Sequence, residues 1–145
     1  LHRHIRGKPD KVLKAIAETG GLLGVACIPS FLGNPGNIHA FLNHIDHVVK
    51  TTNINHVGIG TDVSYMSQNQ SAEAAKAPRR PRERTPWRYF WPAGSLRPQP
   101  QARLSIAWTN WPLFTVGLVQ RGYKDEEIQK IIGGNIMRVC RDTLK

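Results

Sequence analysis

Acidic residues are scarce in this chain: ten Asp and Glu stand against twenty Lys and Arg over 145 residues, a formal net charge of +10. That balance keeps nucleic acid and anionic surfaces in view as partners. Cysteine is scarcer still. Cys27 and Cys140 are the only two, too few for a disulfide framework and without the spacing of a CxxC metal site. Each lies among apolar residues and is expected to be a small buried hydrophobe. Long apolar runs are also missing, so no stretch has the length to cross a membrane as a helix. The opening "LHRHIRGKPD" has neither the apolar core of a signal peptide nor an initiator Met, and reads as the interior of a longer chain. An apolar fraction of 40% is low for a compact domain, although 145 residues suffice for one core.

What is present is an alternation. Residues 9–19, "PDKVLKAIAET", predict a helix with Pro9 and Asp10 in its first turn and an apolar stripe of Val12, Leu13, Ile16 and Ala17. Gly20-Gly21 ends it. Residues 22–28, "LLGVACI", form a continuous apolar run that predicts a strand buried on both faces. A loop, "PSFLGNPGN", comes next. Ile38, Phe41, Leu42, Ile45, Val48 and Val49 then recur at helical spacing, and "HVGIGTD", 56–62, predicts a second strand. Helix, strand, helix, strand with connections of helical length is an α/β pattern built on parallel strands.

Beyond residue 63 the pattern dissolves. Residues 64–103 hold six of the ten prolines and read as a long irregular insertion. Within it, "KAPRRPRERTPWR" carries six Lys and Arg against one Glu and supplies half of the net charge. Residues 104–120 are apolar again, with Pro112 placed to start a helix. "KDEEIQKIIGGNIMRVCRDTL" predicts an amphipathic helix broken at Gly133-Gly134, with Asn135 capping the second part. The chain thus divides into 1–63, 64–103 and 104–145.

Asp62 is the residue that asks for an explanation, because a buried-looking strand runs straight into a single carboxylate. From the residues alone two readings stay open: an Asp that stops a strand by bonding its own backbone, or a carboxylate delivered to a pocket.

"IRGKPDKVLKAIAETGGLLGV", "HIDHVVK", "HVGIGTD" and "GGNIMRV", in that order, resemble the C-terminal portion of the membrane (renal) dipeptidase-like metallopeptidases. "WTNWPLFTVGLVQRGYKDEEIQKIIGGN" looks closest to a bacterial branch. The resemblance implies a (β/α)8 TIM-type barrel with two zinc ions that cleaves dipeptides, of which 22–28 and 56–62 are the last two strands. Barrel enzymes keep their chemistry at the carboxyl ends of the strands. On this resemblance Asp62 is the catalytic carboxylate that handles the proton of the attacking water and passes it to the leaving amine. Arg6, just before "KPD", matches an arginine that grips the substrate's terminal carboxylate, a task its planar fork suits. Phe31 matches an aromatic lining the pocket, although core packing accounts for it as well.

The family's metal ligands, a His-x-Asp, a bridging Glu and two later histidines, all precede Arg6 in chain order and none is expected in this chain. His2 and His4 read as loop residues, and His44 and His47, at i, i+3, as the surface of an outer helix. Family members often continue past the aspartate with Phe-Asp-Gly, whereas here the chain reads "DVSYMS", which bears on the substrate. The expectation is therefore a zinc dipeptidase fragment, inactive without its missing N-terminal barrel half. Self-association is left open, and so is the compartment, cytoplasm or periplasm for a bacterial protein. The competing reading is a basic binding module in which 76–91, arginines interleaved with Trp87, Tyr89, Phe90 and Trp91, grips nucleic acid or an acidic partner. No nucleic-acid-binding motif accompanies that run, which makes it the weaker reading.

Overall fold

The structure is a computed structural model that describes residues 2–63, 72, 75, 76 and 104–144. The basic segment 76–91, apart from its first residue, and nearly all of the 64–103 insertion lie outside the described residues.

Pro9, in extended backbone, leads into α1 (Asp10–Glu18), whose first turn carries Asp10 and whose Leu13 is buried. The helix ends where Gly20 adopts φ +77° and Gly21 N–H reaches back to the Ile16 carbonyl at 3.0 Å. β1 (Leu23–Ala26) comes next, shorter than the apolar run that predicts it. The Pro-Gly-Asn stretch is not wholly loop. Pro29–Leu32 forms a single helical turn, α2, because Pro29 is preset for a first helical position and Leu32 has a core to enter.

α3 (Ile38–Thr51) is the crossover that two parallel strands require. The Asn37 side chain caps it, accepting from His39 and Ala40 N–H. Its buried face is Ala40, Phe41, Leu42, Ile45 and Val48. A 3-10 turn, Ile54–His56, leads into β2 (Val57–Thr61). β2 pairs parallel with β1, Leu23 opposite Val57, Gly24 opposite Gly58, Val25 opposite Ile59. At the strand entrances His56 Nδ1 donates to the Gly21 carbonyl at 2.7 Å, tying the two together.

The later residues form a second helical set. α4 (Trp111–Gln120) starts with Pro112 in its first turn and packs on α3, with the Phe114 ring edge-on to Phe41 at 5.0 Å. A Cβ on Gly117 would lie 2.6 Å from a Leu42 methyl, so this glycine sets how closely the two helices approach. Tyr123 OH donates to Asp46 at 2.8 Å and Arg121 bonds both Asp46 and Asn43. Burial and the bond to Asp46 push the Tyr123 hydroxyl above its ordinary range. α5 (Asp125–Gln129), a π-helical segment (Lys130–Gly134) and α6 (Asn135–Thr143) complete the described chain.

Asn135 is not the helix cap that its position after Gly133-Gly134 suggests. It is buried, and its amide donates to the Ile54 and Val57 carbonyls, each at 2.8 Å. Arg138 donates to the Gly20 and Asn55 carbonyls. Together they fasten α6 to the entrance of the sheet. Cys140 is half-buried rather than buried. The fold is mixed helix and strand, with one core in which Ile45, Val57, Phe114 and Ile131 are fully enclosed.

Candidate functional site

β2 keeps Val57, Gly58 and Ile59 inside and emerges at Gly60. The register then slips: Ala26 lies opposite Thr61, which leaves Gly60 as an extra residue in β2. Such a bulge re-aims the residues beyond it. A Cβ on Gly60 would meet the Gly24 backbone at 3.0–3.1 Å, so the two strands would have to part by a few tenths of an ångström to admit a side chain. Thr61 and Asp62 next take φ +26° and +58°. Left-handed backbone is routine for aspartate, but in β-branched Thr61 it costs on the order of 1–3 kcal/mol. The Cys27 N–H helps hold them, donating to the Thr61 carbonyl at 2.6 Å. The outcome is an exposed carboxylate, Asp62, presented at the carboxyl end of a parallel strand.

The carboxyl end of β1 lies at the same end of the sheet. Cys27 is buried there and burial pushes its thiol up to about 12, which makes it a packing residue and not a nucleophile. One helical turn later comes Phe31. The segment before α1 folds back over it through a tight turn, Gly7 N–H to the His4 carbonyl at 2.8 Å. Arg6 N–H also donates to His4 Nδ1 at 3.1 Å. As a result the His4 ring packs on Phe31, with centroids 4.7 Å apart, and the Arg6 guanidinium lies 5.8 Å from the same ring's centroid. Arg6 and Phe31 are thus brought together, and Phe31 is half-exposed and not a core residue.

Both line a cleft of about 770 Å³ that runs along β1 between α1 and α3. Asp62 is not part of its lining. Across the cleft His44 and His47 face inward and are half-buried, in contrast to the surface position their spacing suggests. His44 Nε2 donates to the Leu32 carbonyl at 3.1 Å, and His47 Nε2 to Asp10 at 2.7 Å. Burial lowers the pKa of His44, and the charges of His47 and His2 lower it further against the opposing bond to Leu32. His4 is lowered by burial first, then by His2 and Arg6.

Among the described residues no three His, Cys, Asp or Glu side chains come together to hold a metal ion. His2 and His4 stack with aromatic geometry, 6.1 Å between rings. The described residues do not fit a zinc site. None of the described helices is long and apolar enough to cross a membrane.

Sequence reasoning passes over the Gly24–Gly60 contact, the inward turn of His44 and His47, and the Asn135 clamp. The His47–Asp10 pair has a signal, a histidine and an acid on two helices flanking one strand. The Gly24–Gly60 contact depends on the bulge, the Asn135 clamp on contacts more than 70 residues apart in sequence, and the turn of His44 on the fold of the loop that carries Leu32, none of which a local pattern encodes.

Comparison with known proteins bears on the same residues. The chain is 24% identical over 143 residues to "Dipeptidase tcpJ" of Claviceps purpurea (strain 20.1), covering 96% of this chain and 26% of that protein. It is 32% identical over 72 residues to "Uncharacterized dipeptidase C965.12" of Schizosaccharomyces pombe (strain 972 / ATCC 24843), covering 47% and 17%. The chain therefore spans about a quarter or less of the length of these curated relatives. No solved structure matches it. Residues 1–78, over half of the 145 and inclusive of Arg6, Phe31 and Asp62, match the sequence pattern of "Membrane dipeptidase (Peptidase family M19)", and the chain belongs to that family.

Proposed function

We propose that the chain supplies the closing strands of a (β/α)8 barrel that hydrolyses the amide bond of dipeptides. In this reading β1 and β2 are the last two barrel strands and their carboxyl ends form part of the active face. The observation that carries the proposal is the left-handed Thr61-Asp62 pair after the bulge. A turn aspartate adopts left-handed backbone readily, but a strand stop needs no strained threonine before it, whereas a carboxylate re-aimed clear of the sheet accounts for one.

Asp62 takes up the proton that the attacking water loses and delivers it to the leaving nitrogen, so that the amide breaks as a free amine and a free acid. Arg6, steadied on the Phe31 ring, grips the substrate's terminal carboxylate through its paired N–H groups. Phe31 forms the apolar wall beside it. The two zinc ions implied by the resemblance find no ligands among the described residues, and in this proposal their ligands lie in chain preceding residue 1. Without that part the 145 residues have no hydrolytic activity.

The test is dipeptide hydrolysis with added zinc by the chain extended upstream in its natural reading frame, with and without Asp62→Asn. Asparagine tolerates left-handed backbone as aspartate does, so the substitution removes charge and leaves the turn. The expected loss in kcat is about 10²–10⁴-fold, the usual scale of a positioned acid–base group, with an unchanged melting temperature. A folded, zinc-loaded extended chain that cuts no dipeptide overturns the proposal.

A further inference from the structure

Arg6 owes its place to the residue two before it. The His4 carbonyl accepts from Gly7 N–H at 2.8 Å, a bond that any residue at position 4 could make. The second bond of the turn belongs to a side chain: Arg6 N–H donates to His4 Nδ1 at 3.1 Å. This is the i to i+2 bond by which Asn and Asp close a turn, made here by an imidazole. A backbone N–H can only donate, so Nδ1 carries no proton and the ring is neutral, with its hydrogen on Nε2. Nε2 itself is enclosed by protein. The ring packs on Phe31, centroids 4.7 Å apart, and the Arg6 guanidinium lies 5.8 Å from the centroid of the same Phe31 ring. One imidazole thus touches both ends of Arg6, its backbone directly and its head group through a shared ring.

A proton has no room at Nδ1 while the turn is closed. It would set donor against donor across the bond from Arg6, and charging an enclosed ring costs desolvation as well. Burial, and after it His2 and Arg6, lower the pKa of His4 in the direction this bond requires. His2 faces the ring from the same segment, 6.1 Å away, and α2 presents the uncharged Phe31. The other titratable groups of the cleft lining are Arg3 and Lys8 in that segment, His44 and His47 on α3, and Asp10 on α1, which is bonded to His47. His4 therefore becomes an imidazolium only as the turn opens, and an anion arriving at low pH meets an Arg6 that is no longer seated.

We infer that His4 is the positioning residue for Arg6 and makes its grip on a carboxylate conditional on a neutral imidazole. The grip needs the guanidinium fork at a fixed angle, since its two N–H bonds run parallel. That Arg6 holds a carboxylate, and that of a dipeptide, rests on the function proposed above; the hold of His4 on Arg6 rests on their own geometry. Arg6 takes the ligand away from the bond that breaks, so its misplacement weakens ground state and transition state alike and raises KM without lowering kcat.

The experiment is calorimetric titration of the extended chain with N-acetylglycine, whose carboxyl stays ionised throughout, at pH 7.5 and 5.0. The wild-type protein is expected to lose about three- to tenfold in affinity on acidification, the scale of one neutral hydrogen bond. His4→Asn offers Oδ1 to the same N–H but cannot titrate, and is expected to keep the affinity of pH 7.5 at both values. His4→Phe keeps a ring on Phe31 without an acceptor, and is expected to bind at both values as weakly as the wild type does at pH 5.0. Arg6→Gln is expected to abolish binding. The inference is overturned if the wild-type affinity does not fall, if His4→Asn falls with it, if His4→Phe matches the wild type at pH 7.5, if Arg6→Gln still binds, or if nothing binds. In dipeptide hydrolysis the same differences are expected in KM at each pH, and finding them in kcat instead also overturns it. A chain that shows the binding pattern but cuts no dipeptide sinks the hydrolytic reading alone.

Discussion

At the scale of single residues, conformation says more than identity. Asp62 is one of ten acidic residues in the chain, and only its φ of +58° next to a left-handed threonine separates it from an ordinary turn aspartate. Asp62→Leu, unlike Asp62→Asn, is expected to lower stability by about 1–2 kcal/mol in urea unfolding, because a bulky side chain resists left-handed backbone. Cys27 makes the opposite point. Its burial and raised pKa predict that iodoacetamide modifies it only after unfolding, while half-buried Cys140 reacts in the native state; peptide mapping by mass spectrometry checks both. For Cys27 sequence and structure agree, since an apolar neighbourhood identifies a buried thiol. For Asp62 the sequence leaves two readings open, because φ is not written in residue type.

At the scale of elements, the helices and strands are legible in the sequence and their attachments are not. The stripe from Ile38 to Val49 predicts α3, which runs slightly further, to Thr51. Both apolar runs predict strands that are a residue or more too long at each end; in the first, hydrophobicity continues past the last ladder hydrogen bond. Pro29–Leu32 escapes notice as a helix because one turn has no periodicity to read. Asn135 is misread as a cap because a cap and a buried clamp share the same residue type. Its two bonds give a test. Asn135→Ala leaves the Ile54 and Val57 carbonyls without their amide and is expected to cost about 2–3 kcal/mol in chemical denaturation. Gly60→Ala tests the strand contact, since the Gly24 backbone must move by a few tenths of an ångström to admit the methyl. The extended chain carrying it is expected to lose more than about tenfold in kcat for a destabilisation of about 1–3 kcal/mol, as the end of β2 shifts.

At the scale of the whole molecule, the net charge is plain in the sequence and its meaning only partly so. The sequence draws attention to 76–91, of which all but the first residue lies outside the described residues. The basic lining of the cleft is instead assembled from the 2–8 segment and one face of α3, a juxtaposition that exists only once the chain is folded. It also sets a pH dependence. His4 and His44 have folded pKa values below the ordinary 6.5, so the fold favours their neutral forms. Their contribution is complete above about pH 6.5 and is lost as pH falls below it, because the unfolded chain then binds more protons. The melting temperature is expected to decline between pH 7 and 5 and to decline less in His44→Gln.

The Asn135 clamp also has a consequence in time. The Val57 carbonyl leaves the ribosome 78 residues before the amide that satisfies it. At about 5–20 residues per second that interval is roughly 4–16 s. Throughout it β2 exists as chain but not as a fastened strand, and Asp62 has no fixed place to stand. A helix encoded well downstream is therefore what completes the strand. A stop codon between Asp62 and Asn135 would yield a polypeptide with every candidate residue present and the strand that carries Asp62 unfastened.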